Sequence, residues 1–251
     1  FLLIHRDHGG KSGWVSPQFT TGDVPSLTNG SLLPVLFSVD CGTGVFDNET
    51  AGGGYSTTFN GVYFLEALLR LEGGGIVGAL GDTRDSPTWA NNALTRGFGD
   101  AVFPDVLPGV GPSEPIRRLA DILNYGKLYM FTQVGVDPLD ADDPIAQSKA
   151  DSNNVLWHAF GDPTLELWTE LPLHLPPDVG LSLLGRRLIA EYAIDGAVIT
   201  VQQNGVAMGR ARVEEGEAVI DLFDDPHPQM PLVLSAALPN AVATGLEPVS
   251  D

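Results

Sequence analysis

Cys41 is the only cysteine among 251 residues. It closes an apolar run, Leu32-Leu33-Pro34-Val35-Leu36-Phe37-Ser38-Val39-Asp40-Cys41. A second run, Phe1-Leu2-Leu3-Ile4, leads into His5-Arg6-Asp7-His8-Gly9-Gly10. A thiol attacks well only as thiolate, and an imidazole can draw off its proton and later protonate a leaving amine. A lone cysteine is most often a small buried hydrophobe. A histidine beside a glycine is an ordinary loop pair. The joint order, strand then His-Gly, strand then Cys, is what marks His8 as a base and Cys41 as a nucleophile. Gly9 admits close backbone approach, so the amides of Gly9 and Cys41 form a candidate oxyanion site. His5 is the competing base, closer to the strand end but without a following glycine. Asp7 could orient a histidine, yet its position as a sequence neighbour favours an exposed loop charge.

These residues need strands whose C-terminal ends lie side by side. Phe1–Ile4 reads as a buried strand, 34–39 as a second and 75–80 as a third. Between them, 60–71 carries Val62, Leu65, Leu68 and Leu69 at helical spacing, stopped by Gly73-Gly74-Gly75. Pro87 suits the start of a helix reaching about Phe103. A further helix is expected over 113–131, and a mixture of helix and strand over 151–167. The stretch 42–58 reads as a long Gly- and Thr-rich loop. Alternating strands and helices imply an α/β fold with a mostly parallel sheet. Its sites lie beyond the strand ends, here the loops starting at His5, Cys41 and Gly81.

Pro172, Pro176 and Pro177 mark a linker. Six short strand-like runs follow, and Asn204-Gly205 is a two-residue hairpin signal. The chain therefore divides into 1–170, α/β, and 171–251, a small antiparallel β-sandwich.

Thirteen Lys and Arg against 32 Asp and Glu leave a formal net charge of −19. That balance opposes nucleic-acid binding, because the phosphate backbone would be repelled. No apolar run approaches the roughly 20 residues that span a bilayer. One cysteine excludes an internal disulfide. The chain lacks an initiator Met and a leader pattern, and its first residues read as core strand, which points to a piece of a longer protein.

Other polar groups carry weaker signals. Asp137, Asp140, Asp142 and Asp143 could supply carboxylates to a structural calcium ion. Their spacing is not an EF-hand, and a solvated acidic loop is the simpler reading. His158, His174 and His227 lack zinc-ligand spacing. The triple glycines at 52–54 and 73–75 lack the Lys-Ser/Thr of a phosphate loop.

The chain resembles the gingipain family of cysteine peptidases, peptidase C25, within the caspase-like group. The residues that carry the resemblance are His8-Gly9-Gly10 with Trp14, Ser38-Val39-Asp40-Cys41, the helix before Gly73-Gly74-Gly75-Ile76-Val77-Gly78-Ala79, Asn91-Asn92-Ala93-Leu94-Thr95-Arg96-Gly97-Phe98, and Phe160-Gly161-Asp162-Pro163-Thr164-Leu165. The resemblance implies a caspase-like three-layer sandwich, incomplete at its N-terminal side, followed by an immunoglobulin-like domain. It implies a thiol protease, an endopeptidase with a Cys41–His8 dyad, a thioacyl-enzyme intermediate and polypeptide substrates. It requires no cofactor. Trp89 then stands where a pocket-wall aromatic could lie, although a helix-packing role fits that position as well. Family members are secreted or surface hydrolases, here of bacterial or archaeal type, and an upstream half of the same precursor supplies further strands. Some relatives act as transpeptidases in surface protein secretion or assembly, or have lost proteolysis, which is the alternative function.

Overall fold

The computed structural model describes residues 1–47, 61–138 and 142–248. It separates into two units, Phe1–Thr169 and Glu170–Asp251. In the first unit the strands are β1 (Leu2–Arg6), β2 (Gly9–Gly10), β3 (Gly13–Trp14), β4 (Phe19–Thr20), β5 (Val35–Val39), β6 (Gly78–Asp82) and β7 (Trp157–Gly161). The helices are α1 (Phe64–Arg70), α2 (Thr88–Val102), α3 (Leu119–Thr132) and α4 (Ala146–Leu156). The main sheet has the order β1-β5-β6-β7. β1, β5 and β6 are parallel, and β7 closes the edge antiparallel to β6.

Every residue of β5 and β6 is buried. Alternation along these strands feeds two cores, since successive side chains face opposite sides of a sheet. Val35, Phe37, Val39 and Leu80 join α2, α3 and α4 in one core, where Phe37 packs on Phe98 and Phe98 on Trp157. Leu36 and Ala79 join Phe64, Leu65 and Leu68 of α1 in the other. Helices on both faces of one sheet make this unit three layers deep. Each large buried side chain contributes about 1.5–3 kcal/mol relative to exposure.

The sequence expectations shift at several points. The first strand is an exposed edge rather than a buried core strand, with Phe1 69%, Leu3 44% and Ile4 48% exposed. The third strand begins at Gly78 and runs on to Asp82, so its loop starts two residues later than the sequence pattern places it. The helix over 113–131 starts only at Leu119. Before it the backbone is extended, and Arg118 bridges to Glu166. Residues 48–58 of the long loop fall outside the described residues.

The second unit contains β8 (Leu173–His174), β9 (Asp178–Leu184), β10 (Arg187–Glu191), β11 (Val198–Gln203), β12 (Val206–Arg212), β13 (Glu217–Asp221), β14 (Leu232–Ala237), β15 (Ala241–Val242) and β16 (Thr244–Pro248). Seven of these form one sheet of order β12-β11-β14-β16-β9-β10-β13. Asn204 and Gly205 both adopt positive φ, 52° and 76°, the turn that joins β11 to β12. The sheet is not wholly antiparallel, because β16 runs parallel to β9. It curls until its end strands meet. A Cβ on Gly209 of β12 would lie 2.9 Å from Ile220 Cγ2 of β13, and Phe223 N–H donates to Met208 O at 2.7 Å. Val179, Leu188, Ile199, Val201, Ile220 and Leu234 fill the interior.

Two glycines let α2 and α3 approach closely. A Cβ on Gly97 would sit 2.8 Å from Gly126 Cα, and one on Gly126 would sit 2.3 Å from the fully buried Phe98 ring. Alanine would gain about 1 kcal/mol of helix propensity at Gly126. Overpacking against an immobile ring costs about 1–3 kcal/mol. Gly126→Ala is therefore expected to lower the urea midpoint of unfolding, and a raised midpoint would show that the helices can separate at little cost.

Candidate active site

The alternation that builds the two cores continues past the end of β5. Asp40 leaves on the α1 side and Cys41 on the α2 side. The loop at the end of β1 and the one at the end of β6 flank them. Together they enclose a cavity of about 260 Å³ whose walls include Arg6, His8, Asp40, Cys41, Ser86 and Asn91. The structure thus brings His8 and Cys41 to one cavity, with His8 exposed and Cys41 half-buried. Cys41 Sγ lies 4.0 Å from the Ser86 carbonyl.

His5 is placed differently. It is 8% exposed, and its Nδ1 lies 3.0 Å from Asp40 Oδ2. Its Nε2 lies 3.2 Å from the Ser16 carbonyl, and its ring stacks on Trp14 with centroids 4.1 Å apart. Both nitrogens face oxygens, so neither is free to take a proton from a thiol. Asp40 is also bonded by the hydroxyls of Thr43 (2.6 Å) and Ser38 (2.8 Å), and Trp14 Nε1 donates to Ser38 Oγ at 2.9 Å. This is a buried polar cluster with each member satisfied, the form in which such groups stabilise a core. Asp7 does not orient an imidazole; its Oδ1 accepts the backbone N–H of His8 at 2.8 Å.

Gly9 packs directly over the cluster. A Cβ there would stand 2.8 Å from Asp40 Cγ and 2.9 Å from Thr43 Cγ2. The absence of a side chain at Gly9 is therefore required by Asp40, before any substrate is considered. Trp89 is 4% exposed within the α2 core, and its indole Nε1 has no hydrogen-bond partner. Its neighbours Thr88 and Asn91 line the cavity, and Trp89 itself does not.

The sequence reading missed Asp82, Ser86 and Asn91. Asp82 is fully buried at the end of β6. Its Oδ1 accepts the Gly42 N–H at 2.6 Å, and its Oδ2 is hydrogen-bonded to Ser86 Oγ. Asn91 Nδ2 donates to Ser86 Oγ at 2.6 Å, and Trp157 Nε1 donates to Asn91 Oδ1 at 3.1 Å. Burial, with Asp40 and Asp85 nearby, pushes the Asp82 carboxyl up to about 8. The Cys41 thiol is also pushed up, by burial first and then by Asp82 and Asp85, against the help of the Ser86 backbone. A thiol of depressed pKa, the usual mark of a reactive cysteine, is not what these surroundings favour. The only signal for Asp82 in the sequence was an acid directly after Gly-Ala-Leu-Gly at a strand end.

The candidate calcium ligands are dispersed. Asp137 is buried and lies 3.5 Å from Arg96 Nη1. Asp143 pairs with Lys149 and accepts the Ile145 N–H. Asp142 is exposed. Asp140 lies outside the described residues. Among the described residues no group of three or more His, Cys, Asp or Glu is placed to hold a metal ion. Among them, too, no helix is long and apolar enough to cross a membrane.

Residues 1–168, which contain this whole cavity, match the profile of Peptidase family C25. The chain belongs to peptidase family C25. Gingipain R1 of Porphyromonas gingivalis is 27% identical over 231 residues, covering 88% of this chain and 20% of the relative. Gingipain R2 of the same species is 26% identical over 249 residues, covering 96% of this chain and 30% of the relative. Among solved structures, the crystal structure of the Arg-specific cysteine proteinase gingipain R superposes with a TM-score of 0.72 at 22% identity, covering 99% of this chain and 53% of that one. The complex of the gingipain pro- and mature domains gives 0.70 at 21% identity, covering 98% and 54%. This C25 chain therefore spans about half of the solved structures and at most 30% of these relatives.

His5 on β1 and His8 in the loop after it separate by a stability experiment. His5→Ala removes a buried, stacked, hydrogen-bonded ring and takes from Asp40 one of its three side-chain partners. It is expected to cost about 2–4 kcal/mol and to lower the melting temperature. His8→Ala, on an exposed side chain, is expected to stay within about 0.5 kcal/mol. Equal losses for both would remove the distinction.

Asp82 makes a pH prediction. Its folded pKa is raised from 3.8 to about 8, so the folded state holds a proton that the unfolded state releases. Its contribution to stability is complete below about pH 4 and is lost as pH rises through about 8. Asp82→Asn, neutral at every pH, is expected to flatten the fall in melting temperature between pH 5 and 8.5. Parallel curves for variant and wild type would exclude a protonated Asp82.

Proposed function

We propose that this chain carries the catalytic dyad of a cysteine endopeptidase, with Cys41 as nucleophile and His8 as general base and acid. The observation that supports this most is the placement of His8 and Cys41 in one cavity beyond the ends of adjacent parallel strands, while His5 is tied up elsewhere. In this reading His8 takes the thiol proton as Sγ attacks the scissile carbonyl. The tetrahedral oxyanion is held by the amides of Gly9 and Cys41. His8 then protonates the leaving amine, leaving a thioacyl-enzyme that water hydrolyses. This chemistry needs no cofactor. A thiol raised by burial fits proton transfer on substrate arrival rather than a resting ion pair. The β1 edge, with exposed Phe1, Leu3 and Ile4 beside an apolar cavity of about 410 Å³, suits an upstream half of the same precursor that would complete a caspase-like sheet. Residues 170–251 fit the immunoglobulin-like domain of this family. Secretion or surface location is part of the same proposal, by analogy with gingipains.

The raised thiol supports a second reading, a non-hydrolytic or transpeptidase-like member acting in surface protein secretion or assembly. The two are separated by treating the full-length parent with peptidyl ketones bearing Arg, Lys, Asp or Leu before the warhead. Mass spectrometry of wild type, Cys41→Ala and His8→Ala reads the adduct. Labelling at Cys41 that falls by about 100-fold or more without His8 is expected, the scale of lost general-base catalysis. No labelling by any probe, with Cys41 still open to a small alkylating reagent, would favour the non-hydrolytic reading.

A further inference from the structure

We propose that Asp82 is a positioning residue for the nucleophile, its carboxyl gripping the peptide groups on both sides of Cys41 and so aiming the thiol into the cavity. This rests on Cys41 being the nucleophile. The Gly42 N–H, on the C-terminal side of Cys41, donates to Asp82 Oδ1 at 2.6 Å. The Asp40 carbonyl, on the N-terminal side, accepts from Ser86 Oγ at 3.2 Å, and Ser86 Oγ is itself bonded to Asp82 Oδ2. One carboxyl thus reaches both flanking peptides, one directly and one through a hydroxyl.

Proton counting says which form of the carboxyl does this. Ser86 Oγ has one proton, accepts one from Asn91, and faces two oxygens, Asp40 O and Asp82 Oδ2. One proton cannot serve both. If Asp82 Oδ2 carries its own proton, it donates to Ser86, Ser86 donates to the Asp40 carbonyl, and every group is satisfied. The surroundings agree. The charged groups acting on Asp82 are Asp40 from the β5 end and Asp85 from its own loop, both raising it, while Asn91 of α2 and Trp157 of β7 are neutral. The titratable Cys41 faces it from the β5 end. Ionisation would draw the Ser86 proton to the carboxylate, release the Asp40 carbonyl and set a negative charge beside the thiol. The first loosens the aim of Cys41, and the second opposes thiolate formation. Other ties keep the loop in place without this carboxyl, since Gly42 N also donates to Arg84 O at 3.1 Å and Gly44 N to Asp82 O at 2.8 Å. Loss of the side chain should therefore misaim Cys41 rather than unfold it.

The test follows alkylation of Cys41 by iodoacetamide from pH 6 to 10, alongside kcat and KM of the full-length parent. Variants are Asp82→Asn, Asp82→Ala and Ser86→Ala. An amide at position 82 can accept from Gly42 and donate to Ser86 at every pH. Asp82→Asn is expected to alkylate several-fold faster than wild type at pH 9, and to recover most of what Asp82→Ala loses at pH 7. Asp82→Ala is expected to lower kcat by about 10- to 100-fold, the scale of a misplaced reacting group, with KM within about twofold. An Asp82→Asn curve that overlays wild type, or a wild-type kcat in Asp82→Ala, would overturn the proposal. Should Asp82→Ala not fold, Ser86→Ala cuts the reach to Asp40 while sparing the Gly42 bond, and a wild-type kcat there overturns it equally. If the wild-type parent hydrolyses nothing, the peptidase reading fails, and the alkylation curves still decide the role of Asp82.

Discussion

The register of β5 between β1 and β6 is the constraint on which the rest depends. It pairs His5 with Ser38 and Ser38 with Gly81, so the three strand ends finish level with one another. Because side chains alternate, Asp40 and Cys41 depart on opposite faces. Asp40 meets His5 and Ser38 over α1, and Cys41 meets Ser86 over α2. A slip of one residue would exchange them, burying the thiol in the polar cluster and setting Asp40 against the α2 core.

Two polar assemblies therefore sit back to back around one strand end. The cluster of His5, Trp14, Ser38, Asp40 and Thr43 is closed, with its hydrogen bonds directed inward. It holds the base of the loop that carries His8. The assembly of Asp82, Ser86, Asn91 and Trp157 borders the cavity and reaches the peptides around Cys41. One supports the loop that carries His8, and the other bonds the peptides on either side of Cys41. Neither places a permanent cation beside Cys41, which is why burial dominates the thiol's behaviour.

The exposed face of β1 and the curled sheet of the second unit show how context changes the meaning of a pattern. An apolar run reads as core from sequence, yet Leu3 and Ile4 are exposed at an edge. Six alternating strands read as an antiparallel sandwich, yet the parallel pairing of β16 with β9 joins both groups of strands into one sheet whose ends meet.

By itself the sequence determined the α/β alternation, the break near Pro172, the hairpin at Asn204-Gly205 and the pairing of a strand-end His-Gly with a strand-end Cys. Those features are local: apolar period, turn chemistry and order along the chain carry them without knowledge of distant contacts. On residue type His5 and His8 are alike, and the sequence favoured His8 only by the glycine that follows it. Tertiary structure separated them, by bringing Asp40 from 35 residues away onto His5. Asp82 was invisible for the same reason. An acid at a strand end looks solvated until the fold buries it between Gly42, 40 residues earlier, and Ser86. Burial and long-range hydrogen bonds set protonation and orientation, and both exist only once the three strand ends have been brought level.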